Sequence, residues 1–240
     1  MNPTKLLCLN DLTLLVSNGK VIDTISYNDK TILILDQTNF YPQGGGQLYD
    51  TGIISSSSCQ FQVEEVRLHN EVVNHIGKYV HGNFQIGDIV KCTVDAEKRH
   101  LHNRLHSAGH VIDMSVKALQ LGWLPHKACH FPGNSCVEYI GSFNGFESDE
   151  LKVNLENTCN TFIQQGLTTS IAFVDFQQLK SLCDFIPSYL TADKPIRIIK
   201  FADFAVPCGG THVININEIK HITIRKIKLE KGKLKVSYAL

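Results

Sequence analysis

Residues 95–122 read DAEKRHLHNRLHSAGHVIDMSVKALQLG and carry a clear helical pattern. Apolar residues recur at intervals of four and three, which places them on one face of a helix. Asp95 is suited to cap the start of that helix, and Gly122 is suited to end it. The segment therefore predicts one long helix with a buried face. The members of that face are Leu101, Leu105, Ala108, Ile112, Val116 and Leu119.

Three histidines accompany this apolar face at intervals of four residues. His102, His106 and His110 form a column in which each imidazole lies one helical turn from the next. Two imidazoles spaced in this way can bind one metal ion, and the spacing recurs in zinc enzymes. Either neighbouring pair of the column fits. Such a pair is also an ordinary feature of a helix surface, so a second motif is needed to indicate a site.

The second motif is CGGTH at residues 208–212, about a hundred residues further along. Pro207 and the two glycines keep this segment out of regular helix or strand, so Cys208 and His212 can converge on one point. A thiolate with imidazoles suits zinc better than magnesium or calcium, which prefer oxygen ligands. Each residue taken singly is as well explained by ordinary burial. Taken together the motifs predict a zinc site, whose role as structural or catalytic stays open.

The segments on either side of the helix indicate the fold class. Before residue 95 the chain is a series of short strand-like runs separated by Gly, Asn or Asp, which favours a small β-barrel. These runs are LTLLVS, KVIDTISY, TILILDQ, TGIISS, CQFQVEEVRL and DIVKCTVD. After the helix we expect two more helices, near 149–165 and 176–183, and strands in IRIIKF, HITIRKIKLE and KLKVSY. We predict an α+β protein with a β-barrel domain at 1–94 and an α/β sandwich domain at 95–240.

The glycine-rich segment YPQGGGQ at residues 41–47 interrupts the β pattern of the first domain. Three consecutive glycines are costly to order, because glycine loses more backbone freedom on folding than any other residue. A wide loop is one interpretation of this segment. Close approach of the backbone to a ligand is the other, and it makes Gly44, Gly45, Gly46 and Gln47 candidates for binding or positioning a substrate.

Charge is balanced over the whole chain but not along it. Lys plus Arg number 23 and Asp plus Glu number 23, so a polyanionic partner must be held by a local patch. Residues 220–235 contain seven Lys or Arg residues and one acidic residue, Glu230, on what we predict to be a β-hairpin. We assign Arg225, Lys226 and Lys228 to phosphate contacts and expect Ile222, Ile224, Ile227 and Leu229 to face inward. Protection of a sheet edge is the alternative role for these charges.

Other features exclude several classes of protein. With 43% hydrophobic and 19% charged residues the chain is too apolar to be disordered, and runs such as TILIL are too short to span a membrane. No HExxH, GxxxxGK[ST] or GxSxG motif is present. In the absence of a secretory signal we expect a cytoplasmic protein with eight free cysteines. His126, Cys129 and His130 in HKACH have no recognised ligand spacing, which disfavours them as site residues.

Three motifs in order, FYPQGGGQLYDTG at 40–52, RLHSAGH at 104–110 and CGGTH at 208–212, resemble the editing domain of alanyl-tRNA synthetases. The nearest resemblance is to freestanding AlaX-type editing proteins of medium length. It implies that His106 and His110, rather than His102, bind Zn²⁺ together with Cys208 and His212. The resemblance further implies substrate positioning by Gln47 and Gly45. Contacts to substrate or tRNA would come from Gly44, Gly46 and Thr211.

The resemblance also implies a reaction. An alanine-activating site cannot strongly reject serine or glycine, because one hydroxyl or methyl group is worth only ~1–3 kcal/mol. We therefore expect a deacylase that hydrolyses Ser-tRNA(Ala), and with it Gly-tRNA(Ala), with zinc either activating water or positioning the α-amino group. Two alternatives stay open, namely editing of Ser-tRNA(Thr) and a non-enzymatic zinc module that binds RNA.

Overall fold

The computed structural model describes residues 1–143 and 145–240, with the backbone alone described at Tyr27. The chain forms two compact units, Met1–Leu101 and His102–Leu240. The border between them falls inside the long helix, α1 (Ala96–Ala118). A domain boundary after residue 94 stays a prediction. No helix in the described ranges has both the length and the apolar character needed to cross a bilayer.

The N-terminal unit is a closed barrel of six antiparallel strands in the order β2-β3-β7-β6-β5-β8, so the predicted barrel is confirmed. Alternation explains its core: in β6, Phe61 and Val63 point inward and are fully buried while their neighbours are not. Strands β1 and β4 form a separate, short parallel pair. In the sequence, β1 precedes the barrel strands and β4 lies between β3 and β5. The strands are β1 (Lys5–Leu6), β2 (Val16–Tyr27), β3 (Lys30–Leu35), β4 (Gln37–Thr38), β5 (Gly52–Ser55), β6 (Gln60–His69), β7 (Val72–His81) and β8 (Ile89–Val94).

A buried ion pair joins the first turns of α1 to the barrel within this unit. The Arg99 guanidinium donates from Nε to both carboxylate oxygens of Asp50, at 3.0 and 3.1 Å, and from Nη2 to the carbonyl of Asn39 at 2.7 Å. Asp50 also accepts a hydrogen bond from the backbone N–H of Tyr41. Both charged side chains are almost completely buried, so each depends on the other for compensation of its charge.

The C-terminal unit combines two antiparallel sheets with helices. The larger sheet has the order β14-β15-β10-β9 and the smaller one the order β11-β12-β13. The strands are β9 (Leu124–Phe131), β10 (Asn134–Ile140), β11 (Thr169–Val174), β12 (Ile196–Phe201), β13 (Phe204–Pro207), β14 (Thr223–Glu230) and β15 (Lys233–Ala239); the helices that follow α1 are α2 (Ser148–Gln165) and α3 (Phe176–Leu182). This mixture of helices and strands confirms the α+β prediction.

The apolar face of α1 forms part of the main core, as its periodicity predicted. Leu105, Ala108, Ile112 and Val116 are at most 5% exposed and pack with residues of α2, β10, β14 and β15. Leu101, the first member of the expected face, is 36% exposed and does not belong to that core. The helix ends at Ala118, before Gly122.

One expectation about the basic hairpin was wrong. Ile224 and Ile227 are buried, but Leu229 is 49% exposed. Leu229 lies on the edge strand β14 close to the turn at residues 231–232, where no further strand covers it. A bulge between Ile224 and Lys226 also breaks the alternation, so that Arg225 and Lys226 are both exposed.

Candidate metal centre

The C-terminal unit brings together four side chains from two distant segments. His106 and His110 come from successive turns of α1, and Cys208 and His212 come from the loop that follows β13. One candidate ligand atom from each residue lies within 4.8 Å of the other three. The Cys208 sulfur is 3.4 Å from Nε2 of His106 and 3.3 Å from Nε2 of His212. We call these four residues the His/Cys cluster; His102 lies outside it.

The cluster has the features of a metal site. Nδ1 of His110 lies 3.2 Å from the Asp113 carboxylate, which also accepts a hydrogen bond of 2.6 Å from the Tyr139 hydroxyl. The other ring nitrogen, Nε2 of His110, is buried and has no hydrogen-bond partner among the described residues. At metal sites, a histidine ligand is usually oriented by a carboxylate through one ring nitrogen, while the second ring nitrogen binds the metal. A donor set of three imidazoles and one thiolate fits zinc.

Neighbouring groups fix the loop that carries Cys208 and His212. Ser107 Oγ lies 3.2 Å from Nδ1 of His212 and accepts a hydrogen bond from the backbone N–H of Val213. Arg197, only 8% exposed, donates through its guanidinium to the carbonyl of Cys208. The buried Thr211 hydroxyl donates to Asn103 on α1. The loop is therefore tied to α1 and β12 at several points, which keeps the cluster assembled.

The electrostatics of the cluster favour a thiolate. Burial raises the pKa of Cys208, but the proximity and charge of His110 outweigh this effect, so the pKa lies below its usual value of 9.0. Burial lowers the pKa of His110, yet the hydrogen bond to Asp113 and the nearby Cys208 sulfur raise it overall to about 10. Burial lowers the pKa of His106 and His212 well below 6.5. The direction of this shift in the pKa of Cys208 favours the thiolate, which is the form in which cysteine binds a metal.

A cavity of about 630 Å³ lies beside the cluster in the same unit. Its lining includes His110 of the cluster, and apolar and aromatic side chains such as Val116, Trp123 and Phe204 form much of its wall. This volume is in the ~300–1,000 Å³ range of small-ligand pockets. The cluster therefore opens toward a space large enough for a small organic group.

Sequence reasoning missed one member of this region, His130. Its ring stacks on that of His106 with centroids 4.4 Å apart, and it lines the cavity although it lies outside the cluster. Burial lowers the pKa of His130 to about 3, so the ring is neutral. The spacing within HKACH gives no signal of this role, because sheet register rather than sequence proximity places the ring against α1.

The glycine-rich segment lies in the N-terminal unit and forms a tight turn. The backbones of Gly44 and Gln47 exchange hydrogen bonds of 3.2 and 2.9 Å across it. Gly45 and Gly46 have φ values of +55° and +76°, in the left-handed region that favours glycine. The turn thus explains two of the three glycines, and the wide loop is not formed. The substrate-binding roles of these residues stay predictions.

The basic hairpin exposes the three side chains that the sequence assigned to phosphate contacts. Arg225, Lys226 and Lys228 are all exposed on β14, an edge strand of the larger sheet. Lys228 also makes a 3.3 Å ion pair with Glu230 at the surface. The proximity of Lys228 lowers the pKa of Lys226, which means that these two ammonium groups crowd each other.

Comparison with known families finds two segments of the chain that match models of aminoacyl-tRNA synthetase sequences. Residues 4–98 match a model described as tRNA synthetases class II (A). Residues 196–235, which include Cys208 and His212, match the threonyl and alanyl tRNA synthetase second additional domain. The two matches together fit an AlaX-like alanyl-tRNA editing protein, as the motifs predicted, and they support a role in tRNA editing with tRNA as the partner.

Proposed function

We propose that the protein is a trans-editing hydrolase that deacylates mischarged tRNA(Ala), chiefly Ser-tRNA(Ala) and also Gly-tRNA(Ala). The observation that carries the proposal is the convergence of His106, His110, Cys208 and His212 beside a ligand-sized cavity. Two of these residues lie in the segment that matches the synthetase additional domain. A second site is needed because the aminoacylation site cannot strongly reject serine or glycine by fit alone.

The residues of the cluster would hold Zn²⁺, which supplies Lewis-acid chemistry at the ester when bound. The surrounding residues orient the ligands: Asp113 holds His110, Ser107 lies on His212 and Arg197 holds the backbone of Cys208. Hydrolysis adds water to the ester carbonyl and breaks the bond between the acyl carbon and the ribose oxygen, which takes up a proton, so the products are the free amino acid and the tRNA hydroxyl. The apolar cavity would receive the acylated end of the tRNA and limit the access of bulk water.

We assign the remaining predicted contacts to the tRNA and its aminoacyl group. Arg225, Lys226 and Lys228 would contact phosphates, and the crowding of two ammonium groups favours an anion between them. Gln47 and the turn at residues 44–46 would position the substrate or its terminal ribose. Thr211 would act beside the cluster, where its hydroxyl already ties the loop to Asn103.

A deacylation assay tests the proposal directly. The zinc-loaded protein is incubated with tRNA(Ala) charged with serine, glycine or alanine, and Cys208→Ala is the matched variant. We expect release of serine and glycine, retention of alanine, and loss of activity in the variant. Failure of the metal-loaded protein to release either amino acid would contradict the proposal and favour a zinc module that only binds RNA.

Editing of Ser-tRNA(Thr) is the second candidate, because the description of the matched additional domain includes threonyl as well as alanyl synthetases. The match of residues 4–98 to the class II (A) model favours the alanine system. Parallel assays with serine on both tRNAs separate the two. Faster release from tRNA(Thr) would overturn the assignment to alanine tRNA.

A further inference from the structure

His130 occupies a prepared position next to the cluster without belonging to it. It lies on β9, is 2% exposed, and lines the cavity while its ring stacks on His106 at an interplanar angle of 21°. A Cβ at Gly109 would lie 2.3 Å from Cε1 of His130, so the glycine between the two helix ligands allows the ring to lie against α1. The close fit shows that this placement is built into the fold.

A hydrogen-bond chain fixes which nitrogen of His130 carries the proton. The Tyr238 hydroxyl donates to the carbonyl oxygen of Leu105 at 2.8 Å, since a carbonyl can only accept. A hydroxyl has one hydrogen, so the Tyr238 oxygen must accept from Nδ1 of His130, which lies 2.7 Å away. Nδ1 therefore carries the hydrogen of the neutral ring. Nε2 carries the lone pair and can only accept.

Nε2 of His130 makes no hydrogen bond to the described part of the chain, although its ring lines the cavity. Nε2 is not fully buried, so it can accept a hydrogen bond from a ligand in the cavity that supplies a donor at this point. Of the three amino acids in question, only serine carries a side-chain donor. The side chains of alanine and glycine have no donor to offer this nitrogen.

We propose that His130 determines the specificity of the site, with Nε2 accepting a hydrogen bond from the side-chain hydroxyl of the seryl group. This inference rests on the proposed function and refines it, because it predicts that the protein prefers serine to glycine on tRNA(Ala). A site that hydrogen-bonds a substrate hydroxyl discriminates strongly against an analogue that lacks it.

The test compares kcat/KM for Ser-tRNA(Ala) and Gly-tRNA(Ala) in three variants. Tyr238→Phe removes the hydroxyl that fixes the tautomer, His130→Leu removes the acceptor, and His130→Gln restores an acceptor oxygen near the position of Nε2. Tyr79→Phe, which removes a hydroxyl in the barrel, is the matched control. Bound zinc is measured in each variant, so that loss of the metal is seen separately.

We expect His130→Leu to lower kcat/KM for the seryl substrate about tenfold while the glycyl substrate changes less than about twofold. Tyr238→Phe should reduce the serine preference by a smaller factor, and His130→Gln should recover part of it. Equal losses on both substrates would overturn the inference, because the ester and α-amino group are common to both. An unchanged preference in Tyr238→Phe and His130→Leu would overturn it as well.

The outcomes for the wild-type protein separate the two proposals. A wild type that releases neither amino acid refutes the proposed function, and the inference falls with it. A wild type that deacylates both substrates equally well keeps the proposed function and refutes the inference alone.

Discussion

Replacing Gly109 by alanine should destabilise the C-terminal unit, although alanine is the better helix former. The new Cβ would lie 2.3 Å from Cε1 and 2.9 Å from Nδ1 of His130, so the imidazole must move. Overpacking of a core costs ~1–3 kcal/mol, and loss of the hydrogen bond to Tyr238 costs ~1 kcal/mol more. The higher helix propensity of alanine returns ~1 kcal/mol. We therefore expect the free energy of unfolding to fall by about 1–3 kcal/mol.

Urea unfolding followed by tryptophan fluorescence measures this change, because Trp123 is the only tryptophan and lies in the core of the C-terminal unit. Gly209→Ala is the control: the position lies in the second motif, and nothing lies within 4 Å of its Cβ. It should unfold within about 0.5 kcal/mol of the wild type, as surface substitutions do. A Gly109→Ala protein as stable as the wild type would refute the argument that the glycine makes room for His130.

Three further predictions concern the metal, pH and tRNA. Metal analysis should find about one zinc per chain fewer in Cys208→Ala than in the wild type, while His102→Ala retains it; equal contents in wild type and Cys208→Ala would exclude the cluster as the site. Burial lowers the pKa of His75 from 6.5 to about 4, so its contribution to stability is complete above about pH 6.5 and is lost as the pH falls to about 4. The free energy of unfolding, measured by denaturant titration, should fall by about 3 kcal/mol over that pH range in the wild type and by less in His75→Gln. Identical pH profiles for the two proteins would contradict this expectation. Replacing Lys226 and Lys228 by alanine should reduce the salt slope of tRNA binding by about two; an unchanged slope would leave edge protection as their role.

Short-range patterns were enough to predict the helix and to name the candidates for the cluster, while the choice of His106 and His110 over His102 came from the family resemblance. Intervals of four on α1 bring His106 and His110 to one face whatever the rest of the chain does, and the glycines of the second motif leave it free to bend toward them. The apolar periodicity of α1 likewise depends only on local geometry. Features that depend only on local geometry can be predicted from a single sequence.

Features that depend on distant contacts were missed. In β7, His75 and Gly77 occupy positions of the strand, and the buried polar His75 interrupts the apolar alternation by which strands are recognised. The hairpin of β9 and β10 was also missed, because an edge strand such as β9 has little buried surface and so little hydrophobic signal. His130 owes its position to that hairpin. Its place beside the cluster could therefore not be predicted without predicting the strand that carries it.

The pairing of Arg99 with Asp50 bears on how the chain can be divided for separate expression. A cut after residue 94, where the sequence pattern changes, leaves the fully buried Asp50 carboxylate without its cation. Removing one partner of a buried pair costs ~3–5 kcal/mol, a large part of the stability of a small barrel. A fragment that ends after Leu101 keeps the guanidinium. The N-terminal unit thus includes the first six residues of α1, and the chain divides into its two units within one continuous helix.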